Sequence, residues 1–109
     1  MVKVYILSKK EYHNYRKAEK FGELNEIFSK DLPIFQVDKL ILMIKESLRI
    51  FEKEDLLLLS GNPLINSLAV FYLISKFSEL KVLLFNVFND DYILRTLRKG
   101  DLEYEKQRE

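Results

Sequence analysis

The 109-residue sequence contains no cysteine and no tryptophan, and it has only three glycines and two prolines. Without cysteine, the chain can form no disulfide, no thiolate metal site and no thiol nucleophile. No apolar run approaches the roughly 20 residues needed to span a bilayer, and the amino terminus leads directly into charged residues. We therefore expect no membrane segment, no signal peptide and a cytoplasmic location.

The charges are nearly balanced, with 18 Lys and Arg against 17 Asp and Glu and a net charge of +1. An overall attraction to nucleic acid or to an anionic membrane is therefore absent, and such a role would need a local patch. The hydrophobic content of 48% is enough for a packed core. The length predicts a single domain over residues 1–100 and a charged tail over residues 101–109. The 32% charged residues are consistent with a thermophilic host, although an AT-rich genome favours similar residues.

Residues 55–89 predict a β-α-β unit around which the rest of the chain is organised. Leu56–Leu59 is a short apolar run between turn signals, which is typical of a strand covered on both faces. Asn62 can cap a helix, and Pro63 is favourable at the first helical position. The helix would run to Phe77 with apolar residues over more than half its circumference, and a second buried strand would span Val82–Val87.

The remaining elements are predicted from the spacing of apolar residues and from the positions of glycine, proline and turn-forming residues. Residues 24–29 could continue a helix or form a strand, and we favour a short strand because Gly22 and Pro33 bracket them. The other predicted elements are a strand over Val2–Leu7, a short helix over Glu11–Lys20, a helix over Val37–Phe51, a hairpin turn at Asn89–Asp91 and an antiparallel edge strand over Tyr92–Leu97.

Together these elements predict a small, doubly wound α/β domain of the Rossmann-like kind. We expect a mostly parallel sheet of four to five strands, with helices on its faces and an antiparallel edge strand. The expected order is second, first, third, fourth strand. The topological switch point would then lie between the first and third strands.

Ligands of such folds bind outside the carboxyl ends of the strands at the switch point. The turn after the leucine strand would offer backbone amides at a helix amino terminus, which attract anions. The same turn is also an ordinary strand-to-helix connection, and it lacks the dinucleotide and phosphate-loop patterns. The predicted ligand-binding residues are Ser60, Gly61, Asn62, Asn66, Ser67 and Asn86.

A basic, tyrosine-bearing segment from Ser8 to Lys20 would reach the same edge. Interleaved aromatic and cationic residues suit base stacking with phosphate contact, although charge runs are usually solvated and tyrosines usually pack inward. The candidate nucleic-acid-binding residues are Lys9, Lys10, Tyr12, His13, Tyr15, Arg16 and Lys17. We find no pattern for a catalytic residue, a metal ligand or a cofactor.

Several short motifs carry a resemblance to a known group of proteins. They are Lys20–Leu24, the leucine strand running into Ser60–Pro63, Leu68–Ala69, and Val82–Phe85 followed by Tyr92–Ile93. Over residues 1–97 this spacing resembles small proteins encoded by tailed phages and other viruses of prokaryotes. The resemblance implies a viral or mobile-element origin, hence the host cytoplasm, and it implies no activity.

Three functions fit these features. The first is a non-enzymatic binding protein that forms a homodimer, because the two long helices carry more apolar surface than one sheet can cover. The second is nucleotide or nucleic-acid binding through the basic segment and the Gly61 turn. The third is a small hydrolase or phosphodiesterase using Ser60, Asn62 and His13, for which no activating base is visible.

Overall fold

The computed structural model describes residues 1–10, 13–28 and 32–102. Its strands are β1 (Lys3–Ile6), β2 (Glu23–Glu26), β3 (Leu56–Leu58), β4 (Glu79–Asn86) and β5 (Asp91–Arg98). Its α-helices are α1 (Val37–Ser47) and α2 (Pro63–Phe77), and short 3-10 helices span Arg16–Phe21 and Lys99–Leu102.

The five strands form one sheet in the order β2-β1-β3-β4-β5. β1 pairs in parallel with both β2 and β3, β3 pairs in parallel with β4, and β5 runs antiparallel along the edge of β4. The predicted fold class, the strand order and the switch point between β1 and β3 are therefore confirmed.

The two faces of the sheet are covered very differently. Both α-helices pack on one face, because β2 to β3 and β3 to β4 advance in the same direction and right-handed crossovers place both helices on that side. The core there includes Tyr5, Leu40, Leu57 and Leu73. On the other face the 3-10 segment Arg16–Phe21 contributes Ala18 to a smaller core with Val4, Ile6, Leu58 and Leu83.

Two predicted boundaries were wrong. Helix α1 ends at Ser47 rather than at Phe51, because Phe51 N–H bonds the carbonyl of Leu48 at 3.1 Å in a tight turn. Leu48 and Phe51 are nevertheless buried, which explains their helix-like spacing. Strand β4 starts at Glu79 rather than at Val82, because Ser78 ends α2 in the left-handed conformation at φ 64° and the chain enters the sheet at once.

The segment between β1 and β2 also differs from expectation. The predicted helix over Glu11–Lys20 is a 3-10 helix that begins only at Arg16 and ends at Phe21, and Glu11 lies outside the described residues. The strand favoured for residues 24–29 is present as β2, although Ser29 also lies outside the described part of the chain.

Candidate functional site

The loop after β1 is tied to the turn after β3 through Tyr15. The Tyr15 hydroxyl lies 2.6 Å from Ser60 Oγ, and the backbone N–H of Lys10 donates to the same phenol oxygen at 2.6 Å. Either hydroxyl can be the donor in the bond between Tyr15 and Ser60, since a phenol oxygen that accepts from Lys10 can still accept from a second hydroxyl. Tyr15 is only 5% exposed, so this hydrogen-bond chain is an interior feature of the site.

Gly61 allows the two segments to approach closely. Its φ is +75°, a conformation that favours glycine, and a Cβ there would lie 2.4 Å from Ser8 Oγ and 2.6 Å from the Ser8 carbonyl oxygen. Ser8 Oγ also accepts the backbone N–H of Asn62 at 2.8 Å. The glycine therefore allows the turn after β3 to pack directly against Ser8, which follows β1, at the switch point between the two strands.

The amino terminus of α2 is capped from within the chain. Asn62 Oδ1 accepts the backbone N–H groups of Leu64 at 2.9 Å and Ile65 at 3.2 Å, and Pro63 has no N–H to offer. With Asn62 N–H bonded to Ser8 as well, the amides of Asn62, Leu64 and Ile65 already have partners. Recognition of a ligand at the start of α2 therefore depends on side chains rather than on these backbone amides.

Asn66 contributes a buried acceptor with no partner. Its Nδ2 donates to the carbonyl oxygens of Ser60 at 2.6 Å and Asn62 at 3.0 Å. These contacts fix the orientation of the amide, because a flipped side chain would place Oδ1 against both carbonyl oxygens. Asn66 is 9% exposed, and its Oδ1 is buried without a hydrogen bond to any described residue. A buried acceptor left in this state typically costs about 1–3 kcal/mol.

Aromatic side chains form the opposite wall. His13 Nε2 is 2.7 Å from the Tyr92 hydroxyl, and the His13 ring lies edge-on to Phe85 with centroids 4.7 Å apart. Phe85 in turn contacts Tyr92 at a centroid distance of 5.3 Å. Burial, with a smaller effect from Tyr15, raises the pKa of Tyr92 from 10.0 to about 12, so its hydroxyl remains a neutral donor or acceptor.

These two walls border an open cavity of about 880 Å³, which lies within the usual range for small-molecule sites. It opens at the carboxyl ends of β3 and β4. The polar side is formed by the turn and the first part of α2, and the apolar side by the end of β4 and the start of β5. Its lining residues include Lys10, His13, Ser60, Gly61, Asn66, Ser67, Leu84, Phe85, Val87 and Tyr92.

Most of the predicted ligand-binding residues meet at this cavity, but two lie elsewhere. Ser60, Gly61, Asn66 and Ser67 line it, whereas Asn62 faces a neighbouring depression of about 540 Å³. Asn86 is in the β4–β5 hairpin, where its Oδ1 accepts the N–H of Phe88 at 3.0 Å.

The predicted nucleic-acid-binding residues are scattered rather than collected. Lys10 and His13 line the cavity, Lys9 lines the neighbouring depression, and Tyr15 is buried behind Ser60. Arg16 and Lys17 are exposed on the far side of the 3-10 helix. Tyr12 lies outside the described residues.

Several cations of the basic segment are already paired with acidic side chains. Lys9 pairs with Glu26 at 3.0 Å and Lys17 with Asp90 at 2.9 Å. Lys20 pairs with Asp91, and its hydrogen bond is the main reason that the pKa of Asp91 lies below its usual value. These exposed pairs add little stability, but they reduce the positive field that the segment presents.

Phe85 and Tyr92 are the site residues that the sequence patterns did not single out. Both were read as strand residues, and their role depends on the β4–β5 register, which places Phe85 directly opposite Tyr92. The turn predicted at Asn89–Asp91 would have placed Phe88 opposite Tyr92, whereas Asn86 pairs with Asp91 and the connecting loop is residues 87–90.

The described ranges contain neither a cluster of metal-binding side chains nor a membrane-spanning helix. No group of three or more His, Asp or Glu side chains is arranged to hold a metal ion there. Within the same ranges, no helix combines the length and the apolar character needed to cross a membrane.

The fold and the cavity define a small, doubly wound α/β domain with an open site at the carboxyl edge of its sheet. The sequence profile of the Phage Pam3 gp32-like protein family matches residues 2–98, so the chain belongs to that family of phage proteins. The resemblance to small phage-encoded proteins is thereby confirmed. No curated protein and no solved structure matches the chain.

Proposed function

We propose that this phage protein is a non-enzymatic binding protein that holds a small ligand in the cavity at the carboxyl edge of β3 and β4. The proposal rests on the hydrogen bonds that hold the polar wall of the cavity in place. The Ser60 turn is held from behind by Tyr15 and Ser8, so the polar groups are fixed before any ligand arrives. Preorganised polar groups beside an apolar wall are the usual design of a small-molecule site.

The hydrogen bonds of Ser60 and His13, the two residues that a hydrolase would use here, favour ligand binding over hydrolysis. Ser60 Oγ is paired with the Tyr15 hydroxyl, and His13 Nε2 is paired with the Tyr92 hydroxyl. A serine nucleophile needs an adjacent base to remove its proton, and Tyr15 is not such a base. The site therefore presents hydrogen-bonding groups rather than an activated hydroxyl.

The experiment is a thermal-shift screen against a panel of nucleosides, amino acids, sugar phosphates and dicarboxylates. Ser67→Phe would fill the cavity from its exposed rim, and Ser75→Phe places the same ring on the same helix two turns away. We expect one class of compound to raise the melting temperature of the wild type and of Ser75→Phe but not of Ser67→Phe. Equal responses in both variants, or no response in the wild type, would count against the proposal.

We further propose that the protein is a homodimer in the host cytoplasm. This is supported by large apolar side chains on the outer surface of α1, its following turn and α2, where Leu42 is 66% exposed, Ile50 59% and Phe71 76%. Apolar side chains of this size at a surface commonly mark an interface. Sedimentation velocity at micromolar concentration tests it: the wild type should sediment as a dimer and Phe71→Glu as a monomer. A monomeric wild type would remove the dimer from the proposal.

A second candidate function is contact with nucleic acid through the basic segment. It is supported by Lys10 at the cavity mouth and by the exposed Arg16. Fluorescence anisotropy with a labelled single strand should then show binding that weakens with salt and with Arg16→Ala, while Arg98→Ala at the other end of the sheet serves as the control. Absence of binding at low salt would exclude this candidate.

A further inference from the structure

We infer that the cavity at the carboxyl edge of β3 and β4 binds an organic anion with a flat apolar body, that is, an aromatic ring that carries a carboxylate or a phosphate ester. This inference rests on the proposed function, because it assigns a ligand class to the same cavity. Three features lead to it: basic lining residues, neighbouring acids that are already paired, and an aromatic wall with exposed apolar surface.

The charged residues that line the cavity are basic. Lys10 and His13 are among its lining residues, and no described lining residue is an Asp or a Glu. Tyr92 can also titrate, but burial raises its pKa to about 12, so it adds no negative charge near neutral pH. The charge of the lining therefore complements a ligand of negative charge.

The backbone of Lys10 is fixed between the two walls of the cavity. Its N–H donates to the Tyr15 hydroxyl at 2.6 Å, and that hydroxyl lies 2.6 Å from Ser60 Oγ on the polar wall. Its carbonyl oxygen accepts the N–H of His13, on the aromatic wall, at 3.2 Å. No carboxylate of the described residues forms an ion pair with Lys10. Its flexible ammonium is thus the charge that a carboxylate or phosphate in the cavity would meet.

The two acidic residues that precede Tyr92 in the chain are engaged by other lysines. Lys17 Nζ lies 2.9 Å from Asp90 Oδ2, and Lys20 pairs with Asp91. All four residues line a separate depression of about 550 Å³. Each pair is close to neutral as a whole, so these acids do little to offset the positive charge at the cavity.

The aromatic wall offers apolar surface to a ligand. The His13 ring lies edge-on to Phe85 with centroids 4.7 Å apart, and Phe85 contacts Tyr92 at 5.3 Å. Beside them, Leu84 is 40% exposed and Val87 is 71% exposed, and both also line the cavity. A flat ring placed against this wall would cover apolar surface that the fold leaves in water. The ligand should therefore combine a ring with an anionic group.

The test is fluorescence anisotropy with indole-3-acetate and indole-3-acetamide, which share a ring and differ in charge. The protein has no tryptophan, so the indole of the probe can be excited selectively. We expect the acid to bind about three- to tenfold more tightly than the amide at low salt, because a charge-assisted hydrogen bond is stronger than a neutral one and the exposed ammonium is partly screened. High salt should remove most of this difference.

Competition with benzoate and phenyl phosphate distinguishes the two kinds of anion. Both compounds carry the same ring, so the one that displaces indole-3-acetate at the lower concentration identifies the anionic group that the cavity prefers. Acetate, which has no ring, should displace the probe far more weakly than benzoate. Equal displacement by acetate and benzoate would remove the aromatic wall from the proposal.

Two neighbouring lysines provide a matched pair of variants. Lys10→Gln should bring the affinities of the acid and the amide close together, whereas Lys9→Gln should leave their ratio unchanged, because Lys9 pairs with Glu26 and lines the other depression. Phe85→Leu should weaken both probes by a similar factor, since it removes a ring and no charge. Circular dichroism establishes that each variant is folded.

The possible failures are separable. Equal affinities for the acid and the amide, equal effects of Lys10→Gln and Lys9→Gln, or no binding of either probe while a panel compound loses its effect in Ser67→Phe, would overturn the ligand class and leave the proposed function standing. If neither probe and no compound of the panel binds, both proposals fall.

Discussion

The Tyr15 hydroxyl lies 2.6 Å from Ser60 Oγ, although 45 residues separate the two along the chain. Tyr15 belongs to the loop that follows β1, and Ser60 belongs to the turn that follows β3. Their hydrogen bond joins the two segments that flank the switch point of the sheet. The cavity wall depends on this contact, because the same Ser60 supplies the carbonyl that orients Asn66.

Tyr15→Phe should lower the free energy of unfolding by about 1–2 kcal/mol, because the Lys10 N–H and Ser60 Oγ both lose a part-buried partner. Urea denaturation measures the change. Tyr72→Phe is the matched control, since the Tyr72 hydroxyl makes no hydrogen bond to a described residue, and it should change stability less. Equal losses in the two variants would show that the Tyr15 hydroxyl contributes nothing specific.

Gly61→Ala should cost at least about 2 kcal/mol of unfolding free energy, because it adds left-handed strain to a clash with Ser8. Gly100→Ala is the control, as a Cβ there meets nothing within 4 Å. The double variant Gly61→Ala with Ser8→Ala should recover only part of the loss, since the Ser8 carbonyl remains 2.6 Å from the new Cβ. Full recovery would mean that the side-chain clash alone sets the cost.

Asp55 anchors the opposite edge of the sheet. It is 4% exposed, and its carboxylate accepts the backbone N–H groups of Lys3 at 3.0 Å and Glu52 at 2.9 Å. Asp55→Ala should therefore lower the unfolding free energy by about 2–3 kcal/mol, since two amides lose a charged acceptor. Asp101→Ala, in the exposed 3-10 helix, serves as the control. A loss below that of the control would remove Asp55 from the stabilising contacts.

Raising the pH should destabilise the protein through Tyr92. Its pKa in the folded state is about 12 against an ordinary 10.0, so the unfolded chain releases the proton first. The stabilisation is fully present below about pH 10 and is lost as pH rises towards about 12. Denaturation curves across that interval should show a steeper loss for the wild type than for Tyr92→Phe. Parallel pH profiles would contradict the expected shift. Burial also raises the pKa of Tyr5, which acts in the same direction in both proteins.

The sequence predicted the architecture because local turn chemistry determines it. Asn62 and Pro63 specify the start of α2, and the apolar runs on either side of that helix leave a right-handed β-α-β unit as the favourable arrangement. The positions of Ser60, Gly61 and Asn66 at the carboxyl edge follow from that unit. The boundaries were harder to predict, since Ser78 in the left-handed conformation and the tight turns after Ser47 are not visible in periodicity.

The aromatic wall of the cavity could not be predicted from sequence patterns, for a different reason. His13 and Tyr92 are 79 residues apart, and they meet only because β5 returns antiparallel beside β4. The pairing of Lys17 with Asp90 likewise depends on that return. Contacts of this kind depend on register and on the path of a short crossover, and neither leaves a local signal.

The most direct measurement is a map of backbone and side-chain amide shifts in ¹H–¹⁵N spectra during titration with the panel compound that stabilises the protein most. The largest shifts should fall on Ser60, Gly61, the Asn66 side-chain amide and Phe85, which lie together around the cavity. Shifts confined to the outer surface of α1 and α2, with the Asn66 amide unmoved, would contradict a binding site at the carboxyl edge of the sheet.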